Sequence, residues 1–200
     1  MGNDTAIAEK FTSADLLLMP EDGKRYEIVE GELYVSRQPG FEHQYTCGQV
    51  GHLLAQWNEQ SNLGVVLQGP GVIFGRHDDV APDVIWITRE RLASAVDEAG
   101  HLTTAPQLVI DVLSPGKANQ DRDREVKLNL YSRRGVEEYW IVSWMQRLVE
   151  VYRREHAALK LITTVHDTDT LESPLLPGFS CQVSKLFFQQ TLGPGHESTS

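Results

Sequence analysis

The chain has 200 residues, 40% of them hydrophobic, enough for one domain with a sizeable core and without a composition break that calls for a second. A formal net charge of -10 argues against nonspecific nucleic-acid binding over the whole surface. No signal peptide and no apolar run of about 18 residues points to secretion or a membrane span, and Cys47 and Cys181 form no CxxC pair and no metal-ligand spacing, so a reducing, cytoplasmic setting is expected.

Residues 1–11 are polar and read as a flexible N-terminus. Thr12 and Asp15 ahead of Leu16-Leu17-Leu18 have the form of a capping box, and Pro20 stops the helix they start. Alternation from Tyr26 to Val35, broken by Glu30-Gly31, predicts a β-hairpin carrying Glu27, Glu30 and Glu32, one of which could complete a metal shell, with the surface the favoured place for Glu30 and less firmly for Glu27. Tyr45, Val50, Leu53, Leu54 and Trp57 fall at helical intervals and predict a long amphipathic helix over 43–60. Strands follow at Val65–Leu67 and Val72–Phe74. The glycines between them lack the Gly-Lys-Ser/Thr ending of a phosphate loop and read as a turn, and Asp78-Asp79 reads as a charged loop ahead of the alternative of an outer metal contact.

Two apolar runs dominate the centre, Pro82-Asp83-Val84-Ile85-Trp86-Ile87 and Leu108-Val109-Ile110-Asp111-Val112-Leu113, each a strand pattern interrupted by one carboxylate. Burying a lone carboxylate costs several kcal/mol unless it is paired, so two such strands suggest a shared partner, most simply a divalent metal. Arg89 to Val96 reads as a short helix. Asp123, Lys127 and Tyr131, at i, i+4 and i+8, share one face of a helix that Gly135 closes, and a strand follows at Glu138–Val142. The plainer readings are a turn role for Asp83 after Pro82 and an ion pair between Lys127 and Asp123. Leu148–Arg153 and Leu159–Val165 continue as meandering strands to Leu186-Phe187-Phe188. Residues 12–188 thus form a single domain, and 189–200 a flexible tail.

The order PDV, DVLSP, D…K…Y and GV-EEYWIV, with Tyr26–Leu33 before it and Leu171–Gly178 after it, resembles the Uma2-type (DUF820) proteins of the restriction-endonuclease-like PD-(D/E)xK superfamily. The resemblance implies an α/β fold: a mixed sheet flanked by helices, a restriction-endonuclease-like core with an N-terminal helix and hairpin and extra C-terminal strands. It also implies a divalent-metal-dependent endonuclease acting on nucleic acid, DNA above RNA. Asp83 and Asp111 would bind Mg²⁺ or Mn²⁺, and Lys127 would orient the attacking water. The superfamily lysine two residues after the second acid is here Leu113, so Lys127 would supply it from the helix.

Glu32, His43 and Tyr131 are accessory candidates. Residues 115–160 hold ten Lys or Arg against seven Asp or Glu, so phosphate contacts are expected at Arg122, Arg124, Arg133 and Arg134, against the plainer reading of solvated faces. A homodimer is expected. The competing readings are a catalytically inactive or weakened nuclease-fold module that binds nucleic acid or protein, and a purely structural partner. HExxH, GxSxG and a Walker lysine are all absent.

Overall fold

The computed structural model describes residues 10–189. Residues 1–9 and 190–200, which hold most of both expected flexible ends, lie outside them. Phe11 is anchored rather than loose: its N–H donates to Gly31 at 2.9 Å and its carbonyl lies 2.8 Å from His77 Nδ1.

The chain opens with α1 (Ser13–Leu16), whose Thr12–Asp15 capping box is formed as the sequence predicts. The hairpin of β1 (Arg25–Val29) and β2 (Glu32–Ser36) turns on Glu30 and Gly31, with φ of 55° and 82°. Two successive positive φ angles match the right-handed strand twist, and the second is held by glycine at little cost. α2 (Phe41–Ser61) buries His43, Thr46, Cys47, Val50, Gly51 and Leu54, the three- and four-residue spacing of one helical stripe.

β3 (Gly64–Gln68) and β4 (Val72–Gly75) follow, then a strand where a charged loop was expected: β5 (Asp78–Val80) joins β1, β2 and β4 in an antiparallel sheet of order β2-β1-β5-β4. The reading as a loop fails because Asp78 is buried and accepts the Glu30 N–H at 2.8 Å, so its charge is answered inside the fold.

The main sheet has order β10-β9-β8-β7-β6-β3 and comprises β3, β6 (Val84–Thr88), β7 (Leu108–Val112), β8 (Glu138–Ser143), β9 (Leu148–Glu155) and β10 (Ala158–His166). Only β7 and β8 pair in parallel, so the sheet is mixed. The predicted helix over 89–96 shortens to α3 (Arg89–Leu92), because Val96 leaves it to bridge Leu102. β11 (Thr170–Glu172), β12 (Ser180–Gln182) and a 3₁₀ turn at Val183–Leu186 complete the described chain.

Side-chain parity sorts the main sheet into two apolar layers. Val84, Trp86, Leu108, Ile110, Trp140 and Val142 pack against α2 and the C-terminal segment. Ile85, Ile87, Val109, Leu113, Tyr139 and Ile141 pack on the other side, against Leu130, Tyr131 and the hairpin sheet. Asp111 alternates with Ile110 and Val112 and therefore faces this second layer. Leu113, where the superfamily pattern has lysine, shares that layer and is fully buried.

The connection from β7 to β8 covers Asp111. α4 (Lys117–Asp121), a π-helical stretch (Arg122–Lys127) and α5 (Leu128–Arg134) follow without interruption, closed by Gly135 at φ 89°. The wider i→i+5 turn brings residues four apart closer to eclipse than an α-helix does, and Asp123 and Lys127 both point inward and are buried.

Candidate active site

β1, α2, the entry to β6, the end of β7 and the π-helical stretch deliver charged side chains to one place. Asp83 stands one residue before Val84, which pairs antiparallel with Ile110, so Asp83 and Asp111 occupy adjoining positions on neighbouring strands. Asp83 Oδ1 accepts from Arg25 Nη1 at 2.9 Å. Its Oδ2 accepts the Val112 N–H at 2.8 Å and lies 3.5 Å from His43 Nε2. Asp111 Oδ1 accepts from Lys127 Nζ at 3.2 Å, and its Oδ2 accepts the Tyr139 hydroxyl at 2.9 Å and the Tyr131 hydroxyl at 3.5 Å.

Lys127 is 2% exposed and surrounded by carboxylates: Glu27 Oε1 at 3.0 Å, Asp111 Oδ1 at 3.2 Å and Asp123 Oδ1 at 3.9 Å. Burial alone would favour the neutral amine, but Asp111, Glu27 and Asp123 outweigh it and hold the ammonium above the usual lysine range. For Asp83 burial pushes the carboxyl up, while His43, Arg25 and Lys127 overcome it and leave it well below the usual carboxylate range.

Asp123 goes the other way. Burial dominates, the nearby Asp111 adds to it, and Lys127 and Arg122 compensate only in part, so the group is pushed up to about 7. Four acids face three fixed cations across this cluster. Asp83, Asp111, Asp123 and Lys127 all line one cavity of about 210 Å³, together with His43, Arg25, Arg37 and Lys24.

The structure thus brings together Asp83, Asp111 and Lys127, with His43 and Tyr131 as direct neighbours of the two aspartates. It does not include Glu32, which is exposed and accepts from the Tyr34 hydroxyl at 3.2 Å. The hairpin acid at the centre is Glu27, expected at the surface and found buried, where Oε1 accepts the Ala81 N–H at 3.0 Å. Its Oε2 has no hydrogen-bond donor and lies 3.8 Å from Arg122. The sequence carried a partial signal, since Glu27 is followed by the apolar pair Ile28-Val29 within a short strand.

The four arginines expected on one phosphate-binding face each pair with a carboxylate of this chain, although Arg133 does so at the surface and Arg122 itself lines the cavity. Arg124 grips Glu150 at 2.6 Å, Arg133 pairs with Glu30, Arg134 with Asp78, and Arg122 is turned inward to Asp123 at 3.3 Å and Ser36 at 2.6 Å. Glu150, Glu30 and Asp78 come from distant parts of the chain, so local charge counting could not reveal these three pairings. Arg37, exposed at the mouth of the cavity, makes no ion pair among the described residues.

Two aspartates at adjoining strand positions, a buried lysine from the following helix and a mixed sheet around them define a nuclease-type α/β fold. A crystal structure described as "a putative nuclease belonging to DUF820 from Anabaena variabilis ATCC 29413" superposes with a TM-score of 0.70 at 16% identity, covering 88% of this chain and 97% of that one. At that identity the likeness speaks for the fold. The Uma2 family, described as "Putative restriction endonuclease", matches residues 13–184, and the chain belongs to it. No curated protein matches the sequence. No helix among the described residues is long and apolar enough to cross a membrane.

Proposed function

We propose that the protein is a divalent-metal-dependent nuclease that hydrolyses phosphodiester bonds in DNA. The observation that carries this reading is the convergence of Asp83, Asp111, Asp123 and Lys127 on one solvent-reaching cavity. Family membership supports the reaction class.

The donor set fits a hard cation. A carboxylate offers about four acceptor sites, and Asp83 and Asp111 each receive three protein donors, which leaves about one site apiece toward the cavity. Asp83 and Asp111 would hold Mg²⁺ or Mn²⁺, with water and substrate phosphate completing the shell. Such an ion, when bound, lowers the pKa of an attacking water and neutralises charge on the phosphate.

The chain's own residues do the rest. Lys127 fixes the Asp111 carboxylate and screens it from Glu27. Tyr139 and Tyr131 hold the opposite oxygen of Asp111, and Arg25 and the Val112 N–H fix Asp83. Asp123, with a carboxyl near neutrality, is placed to take a proton from water in the cavity, the range in which a general base works best. Arg37 at the mouth offers charge to the substrate backbone.

Glu27 and Asp111 engage two of the three Lys127 donors, so in this reading the expected role as the water-holding cation falls to the one donor that remains. That same observation favours the second reading, a fold-retaining module that binds nucleic acid without cutting it. A homodimer belongs to the proposal, since two pockets would address the two strands of a duplex, and light scattering coupled to gel filtration reads it. The deciding assay is cleavage of supercoiled plasmid and of single strands in Mg²⁺, in Mn²⁺ and in chelator. Metal-dependent cutting that Asp111→Asn abolishes is the expected result. Salt-sensitive binding without cutting would establish the module, and an Asp111→Asn protein cutting at the wild-type rate would overturn the assignment.

A further inference from the structure

Cys47 lies inside the fold beside the site, and none of the chemistry above uses it. We propose that His43, Cys47 and Asp83 form a second cation site, selective for a thiophilic divalent ion such as Zn²⁺, built against the wall of the catalytic cavity.

His43 and Cys47 are four residues apart on the buried stripe of α2, so their side chains stand one above the other. Cys47 Sγ lies 3.5 Å from His43 Nδ1, and His43 Nε2 lies 3.5 Å from Asp83 Oδ2. One ligand atom from each of the three residues falls within 4.8 Å of the other two, and all three residues are buried. Ligands around tetrahedral zinc, with bonds of about 2.0 to 2.3 Å, sit roughly 3.3 to 3.8 Å apart. An ion takes only one of the two His43 nitrogens, so the cluster needs to contract by about 1 Å and the side chain now on the other nitrogen has to swing across to join it.

Thiolate, imidazole and carboxylate are a borderline-soft set that suits Zn²⁺ and discriminates against Mg²⁺, which demands an oxygen shell. His43 and Asp83 line the cavity, so an ion enters from there and a cavity water fills the fourth position. On binding, a Zn–S bond forms as the thiol proton leaves to water, and Asp83 Oδ2 exchanges its contact with His43 for one with the ion. Burial holds the free thiol above its usual pKa, so without an ion it is a neutral group and a poor nucleophile. The His43–Cys47 spacing alone gave no sign of a site, because the third ligand arrives from the residue just before β6, more than thirty residues further along the chain.

The site stands on its own geometry. Its consequence rests on the proposed function: an ion held here takes Asp83 away from the catalytic Mg²⁺, so thiophilic ions inhibit cleavage.

The test is titration of the full chain in a Cys181→Ser background with Co²⁺, read by thiolate-to-cobalt charge-transfer absorption. One Co²⁺ per chain, displaced by Zn²⁺, is expected. Cys47→Ser should abolish the band and weaken Zn²⁺ binding by at least tenfold in competition with a chromophoric chelator, whereas Asp111→Asn should retain both. A folded parent without the band, or Cys47→Ser binding Zn²⁺ as the parent does, overturns the site. Should Cys47→Ser fail to fold, His43→Gln decides: undiminished Zn²⁺ affinity refutes the proposal and a tenfold loss upholds it. In the cleavage assay Zn²⁺ should inhibit the parent and spare Cys47→Ser. A chain that never cleaves sinks the proposed function while the cobalt spectrum still judges the site.

Discussion

Lys127→Met removes the ammonium that Glu27 and Asp111 share and leaves a side chain of similar length. Both carboxylates are almost fully buried and lie 3.0 and 3.2 Å from Nζ. Asp111 keeps its two tyrosine donors, but Glu27 keeps only the Ala81 N–H and the distant Arg122. Breaking a buried pair from one side costs about 3 to 5 kcal/mol, because the remaining charge is uncompensated. Against a typical total of about 5 to 15 kcal/mol the variant should fold marginally, with a melting temperature lowered by roughly 6 to 20 °C for a chain of this size. The effect should also depend on partner: Glu27→Gln in the Lys127→Met background removes the stranded charge and should recover more than about 1 kcal/mol, an interaction visible in a double-mutant cycle. The assay is urea unfolding followed by circular dichroism in chelator. A Lys127→Met protein destabilised by less than about 1 kcal/mol, or one that Glu27→Gln weakens further, would refute this account of the cluster. The expectation from sequence that Lys127 orients the attacking water would then be restored.

Asp123 is held above its unfolded pKa of about 3.9, so between there and about 7 the native state binds more protons than the unfolded one, and its ionisation should lower stability as pH rises through that window. Asp123→Asn should raise the urea midpoint more at pH 8 than at pH 5, and an equal gain at both would show that the carboxyl is not perturbed. Because protein donors already answer Asp83 and Asp111, chelation alone should leave the melting temperature unchanged, while excess Mg²⁺ should raise it, by about 2.7 kcal/mol of stability at a hundred times its Kd; thermal scans in chelator and in Mg²⁺ decide. If nucleic acid binds at the cavity mouth, Arg37→Glu should reduce the slope of log affinity against log salt by about 0.7 or more. Arg124→Ala should instead leave the slope unchanged and lower stability through loss of Glu150, and the opposite pattern would return binding to the helix arginines.

The sequence by itself determined the two carboxylate strands, the hairpin, the long helix and the order in which they occur, because each is written in local periodicity and turn chemistry. Parity alone places Asp111 on the face opposite Ile110, and the i, i+4 spacing alone aligns Lys127 with Asp123. Tertiary structure decided which charges meet. Glu27 reads as a surface residue until β5 and the π-helical stretch close over it. The arginines of 122–134 read as free cations until Glu30, Asp78 and Glu150 arrive from other parts of the chain. Local pattern reports which face of an element a side chain occupies. The pairing of buried charge depends on distances across elements far apart in sequence, and in a low-dielectric interior those distances determine whether a group is a ligand, a base or a structural counter-ion.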